Sequence, residues 1–341
     1  MALYTNIATE LKTYCTGVTL GISIDTIAPS RDYIERKYIK KALGAAQWEA
    51  ITAAYEDSIA STPTAMSSAE QALWEAIMAA LAPLSVWHFA GVNATEITDK
   101  GQSERATEDT TPIRLWVSNL QRNTLYEQGM TELDNLLAFL DENKSDYPDW
   151  VAGTGYTGLK NNLVQTTANF DEYVHINGSR SFFQRMKPSI KKVEYITIRK
   201  AISEEFYNRL IEGLQQDDLT ATEQAVINKL IPAIAHMAFA DCDLPIERGD
   251  DGVFMLSNTS GNDTQNKNLP NESVMQAIKR DHYNTGKIYL NEALDYLNKT
   301  ATASILPEYY ESDQYEDPTA TGYGDVGHNN EDLNTIFSLK T

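Results

Sequence analysis

The 341-residue sequence predicts a mainly α-helical protein: a tandem duplication of one helical-bundle domain, each copy with a small β-hairpin insertion, followed by an extended C-terminal arm. Three observations carry this reading. Apolar residues recur at helical spacing over long segments. A set of caps, aromatics, glycines and leucines occurs twice in the same order, at a period far above that of solenoid repeats. From Glu308 to Thr341 there are eight acids and one base, with Pro, Gly and Asn disfavouring helix or sheet. The implied domains are 1–146, a linker over 147–180, a second bundle over 181–306 and the arm over 307–341.

The first helix of copy one opens at Ala28-Pro29-Ser30 and runs over Asp32–Tyr55, with Tyr33, Ile34, Tyr38, Ile39, Leu43, Trp48 and Ile51 at helical spacing. Copy two answers with Lys187-Pro188-Ser189 and a run through Ile202, and Tyr207 falls where Trp48 does. The second helices, Ala69–Ala90 and Glu223–Phe239, each follow a hydroxyl cap with Glu in the first turn: Ser67 with Glu70, and Thr220 with Glu223. Pro232 should kink the latter. A non-helical excursion follows, weak in Ala94–Gly101 and stronger in Pro245–Ser257, where a turn precedes a strand-like run. The third helix, Pro112–Asn143, contains Gly129, Leu133, Leu137 and Leu140, matched downstream by Gly286, Leu290, Leu294 and Leu297. After it, Tyr147–Tyr156 is echoed by Tyr315–Gly324, so linker and arm are expected to be equivalent pieces.

Composition narrows the function. With 28 basic and 48 acidic side chains the net charge is −20, which argues against tight DNA wrapping. The chain reads as soluble and intracellular: no apolar run of about 18 residues is evident, and the first residues lack a signal-peptide pattern. Cys15 and Cys242 fit a reducing compartment. Gly153-Thr154-Gly155-Tyr156-Thr157-Gly158 matches GxGxxG, but no strand precedes it and the acids Asp171 and Glu172 come too early, so a flexible connection is expected. The loop Ser257–Asp263 has Lys267 where a calcium loop needs Glu, and Gly249-Asp250-Asp251-Gly252 reads as a hairpin turn. His88, His175, His236, His282 and His328 form no metal motif, and His88 and His236 fall on apolar helices as satisfied core residues. The residues therefore predict no catalytic centre, no metal and no cofactor. The alternatives are an enzyme with a groove site between the domains, where titratable groups with shifted pKa values would converge, and an internal scaffold or cargo protein.

The arm carries a net charge of −7, the tyrosines Tyr309, Tyr310, Tyr315 and Tyr323, and the apolar ending Ile336, Phe337 and Leu339. Such a segment suits strand addition to a partner, with the aromatics as anchors. The strand-like run Val253, Phe254, Met255 and Leu256 is the expected subunit-contact hairpin.

Phe170–Arg180, the Phe182-Phe183 pair, the Pro188 helix, the Gly252-Val253-Phe254 hairpin, the Gly286–Leu297 helix and the Ile336-Phe337 ending resemble an uncharacterised family of phage and prophage virion proteins from gut bacteria. The resemblance is closest over 160–341. The helical layout is similar to that of phage head-to-tail connector (adaptor) proteins. That resemblance implies a ring beneath the portal, assembled in the host cytoplasm, that joins portal protein to tail proteins and lets DNA pass without specific binding or membrane contact. It implies twelve copies, while the duplication offers a competing stoichiometry of six chains presenting twelve similar domains.

Overall fold

The computed structural model describes residues 4, 6, 10–15, 22–93, 95–98, 101–104, 115–243, 246–248, 253–256 and 272–319. It is a helical protein of two units repeated in tandem, each with its own hydrophobic core.

The first unit begins with the single turn α1 (Lys12–Tyr14) and then α2 (Ile24–Ile34), whose N-cap Ser23 accepts the Thr26 amide. The helix thus starts ahead of Pro29, one turn before the sequence reading placed it. A π-helical turn, Glu35–Ile39, leads into α3 (Lys40–Leu43), and Gly44 at φ 80°, ψ 170° redirects the chain into α4 (Ala45–Ile59). Helix α5 (Ser68–Asn93) is the central helix, with Leu73, Ile77, Met78, Leu81 and Leu84 buried. It contains an apolar 18-residue window of mean hydropathy 1.3, a run the sequence reading overlooked; 44% of that window is buried within the bundle. The capping box forms as expected, Ser67 Oγ accepting from the Glu70 amide at 3.2 Å while Glu70 Oε2 accepts from the Ser67 amide at 2.7 Å. Strands β1 (Thr95–Thr98) and β2 (Gly101–Glu104) pair antiparallel, Thr98 opposite Gly101. Helix α6 (Leu115–Glu142) returns along α5, and α7 (Pro148–Val151) and α8 (Thr154–Leu159) close the unit.

The second unit repeats this plan. It comprises α9 (Thr167–Asp171), α10 (Arg180–Val193), a π-helical turn over Glu194–Ile198, α11 (Arg199–Ile202), α12 (Glu204–Gln216) and α13 (Ala221–Asp241). Then come the antiparallel pair β3 (Ile246–Arg248) and β4 (Phe254–Leu256), α14 (Glu272–Thr300) and α15 (Pro307–Tyr310). The π-turns recur at the same place in both copies. So does the positive-φ residue after them, Ser203 at φ 73°, ψ 154° standing where the first copy has Gly44. The long antiparallel helices cross at matched glycines. A Cβ on Gly129 would lie 3.2 Å from the Leu84 nitrogen, and one on Gly286 3.2 Å from the Met237 nitrogen. These glycines set the close approach; α6 and α13 continue unbroken past Gly129 and Pro232.

The boundaries need correction. The segment read as a linker is divided between the two cores: Tyr147, Trp150 and Tyr156 pack into the first, and Leu163, Val164, Phe170, Val174 and Ile176 into the second. The reason is apolar burial, which a connection in open solvent would forfeit. Likewise the beginning of the arm, 307–319, folds onto the second unit; α15 is the counterpart of α7, each with proline in its first turn and a buried aromatic, Trp150 or Tyr309.

Candidate functional site

The residues expected to bind partners are distributed differently by the fold. Tyr309 is fully buried against Phe206, its hydroxyl donating to Asn298 Oδ1 at 2.7 Å, so it is a core residue and not an anchor for a partner. Tyr315 lies edge-on to Tyr309 and 4.6 Å from the Tyr310 ring; of these three, Tyr310 is the more exposed, at 37%. Tyr323, Ile336, Phe337 and Leu339 lie outside the described residues. In the expected contact hairpin, Val253 and Phe254 are buried. Phe254 sits 4.5 Å from the Phe239 ring and donates its amide to the His175 carbonyl at 2.8 Å, so it serves the second core and not a neighbouring subunit. Of the side chains of Met255 and Leu256, nothing is described.

The GxGxxG stretch is neither a nucleotide loop nor a flexible connection. Gly155 has the Ala42 carbonyl oxygen 2.3 Å from where a Cβ would stand, and Trp150 Nε1 donates to that same carbonyl at 3.0 Å. Glycine here lets α8 lie directly on the end of α3. The calcium-like loop Ser257–Asp263 and the turn Gly249–Gly252 lie outside the described residues. His88 Nδ1 meets Ser30 Oγ at 3.0 Å, and His236 Nδ1 meets His282 Nδ1 at 2.8 Å. Among the described residues no group of three or more His, Cys, Asp or Glu is placed to hold a metal, and both cysteines are buried and not joined in a disulfide.

What the fold does assemble is a cavity of about 510 Å³ between the two units. Its first wall is the π-turn and α3, which bring Lys37, Tyr38 and Lys41; α6 adds Tyr126 and a floor of Met130, Leu133 and Leu137; α8 adds Thr154 and Gly155. The opposite wall is α10, carrying Arg180, Ser181, Gln184, Arg185 and Lys187. Five cations therefore face one space, and among the described residues no carboxylate lines it. This is unexpected in a chain of charge −20. The π-turn inserts one residue into the helical ladder and so re-aims the side chains that follow it, Lys37 and Tyr38 among them.

Arg180 is nine-tenths buried and paired with Asp134 of α6, which holds the two units together, yet its Nε has no hydrogen-bond partner. Burial lowers the Arg180 guanidinium to about 10. Burial, with the neighbouring Arg180 charge, brings Lys187 down to about 8. Lys187 lies 5.6 Å from the Phe183 ring centroid and Lys37 about 5 Å from those of Tyr33 and Tyr38 (5.2 and 5.0 Å). Lys37, Lys41, Arg185 and Lys187 make no ion pair among the described residues. Around the groove the units are joined by Lys144–Asp217 and by Ser181 Oγ donating to Glu127 Oε1 at 2.8 Å. The sequence reading named a groove as the place for an enzyme site but none of its residues. The cations are scattered from position 37 to 187, and only the packing of α10 against α6 makes them neighbours.

A second feature is polar and deeply buried. Glu194 opens the second π-turn, fully buried, and accepts from the Leu163 amide (2.9 Å), the Val164 amide (3.4 Å), Asn162 Nδ2 (2.9 Å) and the Tyr207 hydroxyl (3.0 Å). It fastens the 162–164 segment to the second unit. Its counterpart Glu35 is buried beside Arg31.

The same duplication appears in comparison with known proteins. A model described as a family of unknown function (DUF6712) matches residues 39–160 and again residues 198–319. The chain belongs to this family. Both DUF6712 matches begin at the last residue of a π-turn and extend through the α7 or α15 region, so the family model falls twice on corresponding parts of the repeat, with α2 and α10 ahead of the matched residues. No curated protein and no solved structure matches the chain.

Proposed function

We propose that this DUF6712 protein is a structural virion component, a head-to-tail connector that assembles as a ring between portal and tail. One observation supports the assembly above others. Within the chain, the back of the first unit (α6) is covered by the front of the second (α10), a heterologous contact. With Gly129 registered on Gly286, the same face of α14 is open. Buried Met130 and Leu137 correspond to half-buried Lys287 and Leu294, and half-buried Asp134 corresponds to exposed Asn291. A second copy whose front covers α14 would continue the pattern, and heterologous contacts that close by rotation make rings. The arm beyond residue 319, acidic and apolar at Ile336, Phe337 and Leu339, would then dock on a portal subunit or on the neighbouring copy. Overall acidity suits a channel through which DNA slides, since phosphate repulsion opposes adhesion.

Electron microscopy and native mass spectrometry of the full chain test this reading. The expected result is a closed ring of twelve chains, or of six presenting twelve units. A monomer at micromolar concentration, with no ring on purified portal, would overturn it. Deletion of Gly324–Thr341 should abolish docking; normal virions without the segment would remove the arm from the proposal. The enzyme reading gains one specific observation, the groove with its shifted lysine and arginine. The cations, hydroxyls and amide that line the groove are the chemistry of anion binding.

A further inference from the structure

We propose that the groove between the two units is a binding site for a small polyvalent phosphate, such as pyrophosphate or a phosphate ester, held by Arg180, Lys187, Arg185, Lys37 and Lys41. The inference does not depend on the assembly role. Its first support is the charge arithmetic of the lining: five cations converge on about 510 Å³ with no carboxylate among the described lining residues, in a chain where acids outnumber bases 48 to 28. Like charges gathered in this way repel one another, and a multivalent anion placed among them adds an attraction to each that offsets the repulsion. The second support is Arg180 itself. It is nine-tenths buried and makes one ion pair, to Asp134, while its Nε, with no partner, is a donor that folding has taken from water without replacement. The third is the surrounding chemistry. Ser181, Gln184 and Thr154 offer hydroxyl and amide donors beside the charges, and Tyr38 and Tyr126 supply flat surfaces for an organic group attached to the phosphate. Phosphate suits the site better than a monocarboxylate, since guanidinium forks and several lysines together need more acceptor oxygens than one carboxylate carries.

The test is calorimetric titration of the full-length chain with pyrophosphate and with inorganic phosphate, at constant ionic strength set by chloride. Pyrophosphate is expected to bind one equivalent per chain, more tightly than inorganic phosphate. Lys187→Met and Arg185→Gln should each weaken it by about tenfold or more, the effect of losing one charge-assisted hydrogen bond. Lys299→Met on α14, away from the groove, should leave it unchanged. Lys187→Met also guards against misfolding as an explanation, since removing a half-buried lysine that lies close to the Arg180 charge should raise the melting temperature of the ligand-free chain while weakening pyrophosphate. The proposal is overturned if pyrophosphate gives no heat at millimolar concentration, or if its affinity is the same in both groove variants. It is also overturned if a duplex oligonucleotide or a synthetic 320–341 peptide binds the groove when pyrophosphate does not.

Discussion

Replacing Glu194 separates two opposed consequences of burying a carboxylate. In Glu194→Ala the Leu163 amide and the Tyr207 hydroxyl lose their acceptor inside the core, and the longer Val164 contact is lost with them. Each buried donor left without a partner costs about 1–3 kcal/mol, so the substitution should destabilise the second unit by roughly 3–5 kcal/mol. Glu194→Gln keeps the Oε1 acceptor for the two amides and removes the ionisation, but it turns Oε2, which accepts from Asn162 and Tyr207, into an amide donor. Burial pushes the Glu194 carboxyl up to about 7, against four donors that favour its charge. Because the folded pKa lies above the unfolded one, this group costs nothing below about pH 4.5, and stability is lost as pH rises from there through 7. By linkage the loss is on the order of 3 kcal/mol at pH 8. Whatever the lost Oε2 contacts cost at pH 4.5, the difference between Glu194→Gln and wild type should therefore move in the variant's favour as pH rises to 8. Urea unfolding followed by far-UV circular dichroism measures this directly. Tryptophan fluorescence serves as an internal control, since Trp48, Trp74, Trp87, Trp116 and Trp150 all belong to the first unit. Parallel pH profiles for wild type and Glu194→Gln, or a cost below about 1 kcal/mol for Glu194→Ala, would refute the reasoning.

Three other outcomes are expected. Ser203→Gly should raise stability by about 1 kcal/mol, because φ 73°, ψ 154° is a region reserved largely for glycine, and giving up the Ser203 cap to the Phe206 amide costs only a few tenths; an unchanged urea midpoint would count against strain there. Gly155→Ala should destabilise the first unit by at least about 1–3 kcal/mol, since its Cβ would stand 2.3 Å from the Ala42 oxygen; the Trp150 emission, tied to that carbonyl, should move with it. Burial lowers the His236 pKa, so its contribution is intact above 6.5 and lost as acid protonates the folded His236 ring; His236→Gln should flatten the acid limb of a melting-temperature profile, and an unaltered limb would exclude His236 as its source.

Much of the fold was legible without coordinates, for a local reason. The capping boxes at Ser67 and Thr220 form because each needs only a hydroxyl and a glutamate three residues on, and Leu133, Leu140, Leu290 and Leu297 fall on buried faces because helical periodicity puts them there. The candidate groove was not legible. Lys37 and Lys187 look like ordinary surface charges until α10 packs on α6, and nothing in the local sequence distinguishes Tyr309, which is buried, from Tyr310, which is not. The glycines were visible as a pattern but misread in role: Gly155 was placed in a flexible connection, and it is a contact point between helices.

The sequence by itself determined that this protein is helical and duplicated, since period, caps and repeated order are written in neighbouring residues. Tertiary structure alone decided where one unit stops, which aromatics are core and which cations meet, since each depends on burial against residues tens to hundreds of positions away. Apolar area drew the supposed linker and the start of the arm into the cores, and the joint between the two cores gathered the positive charge.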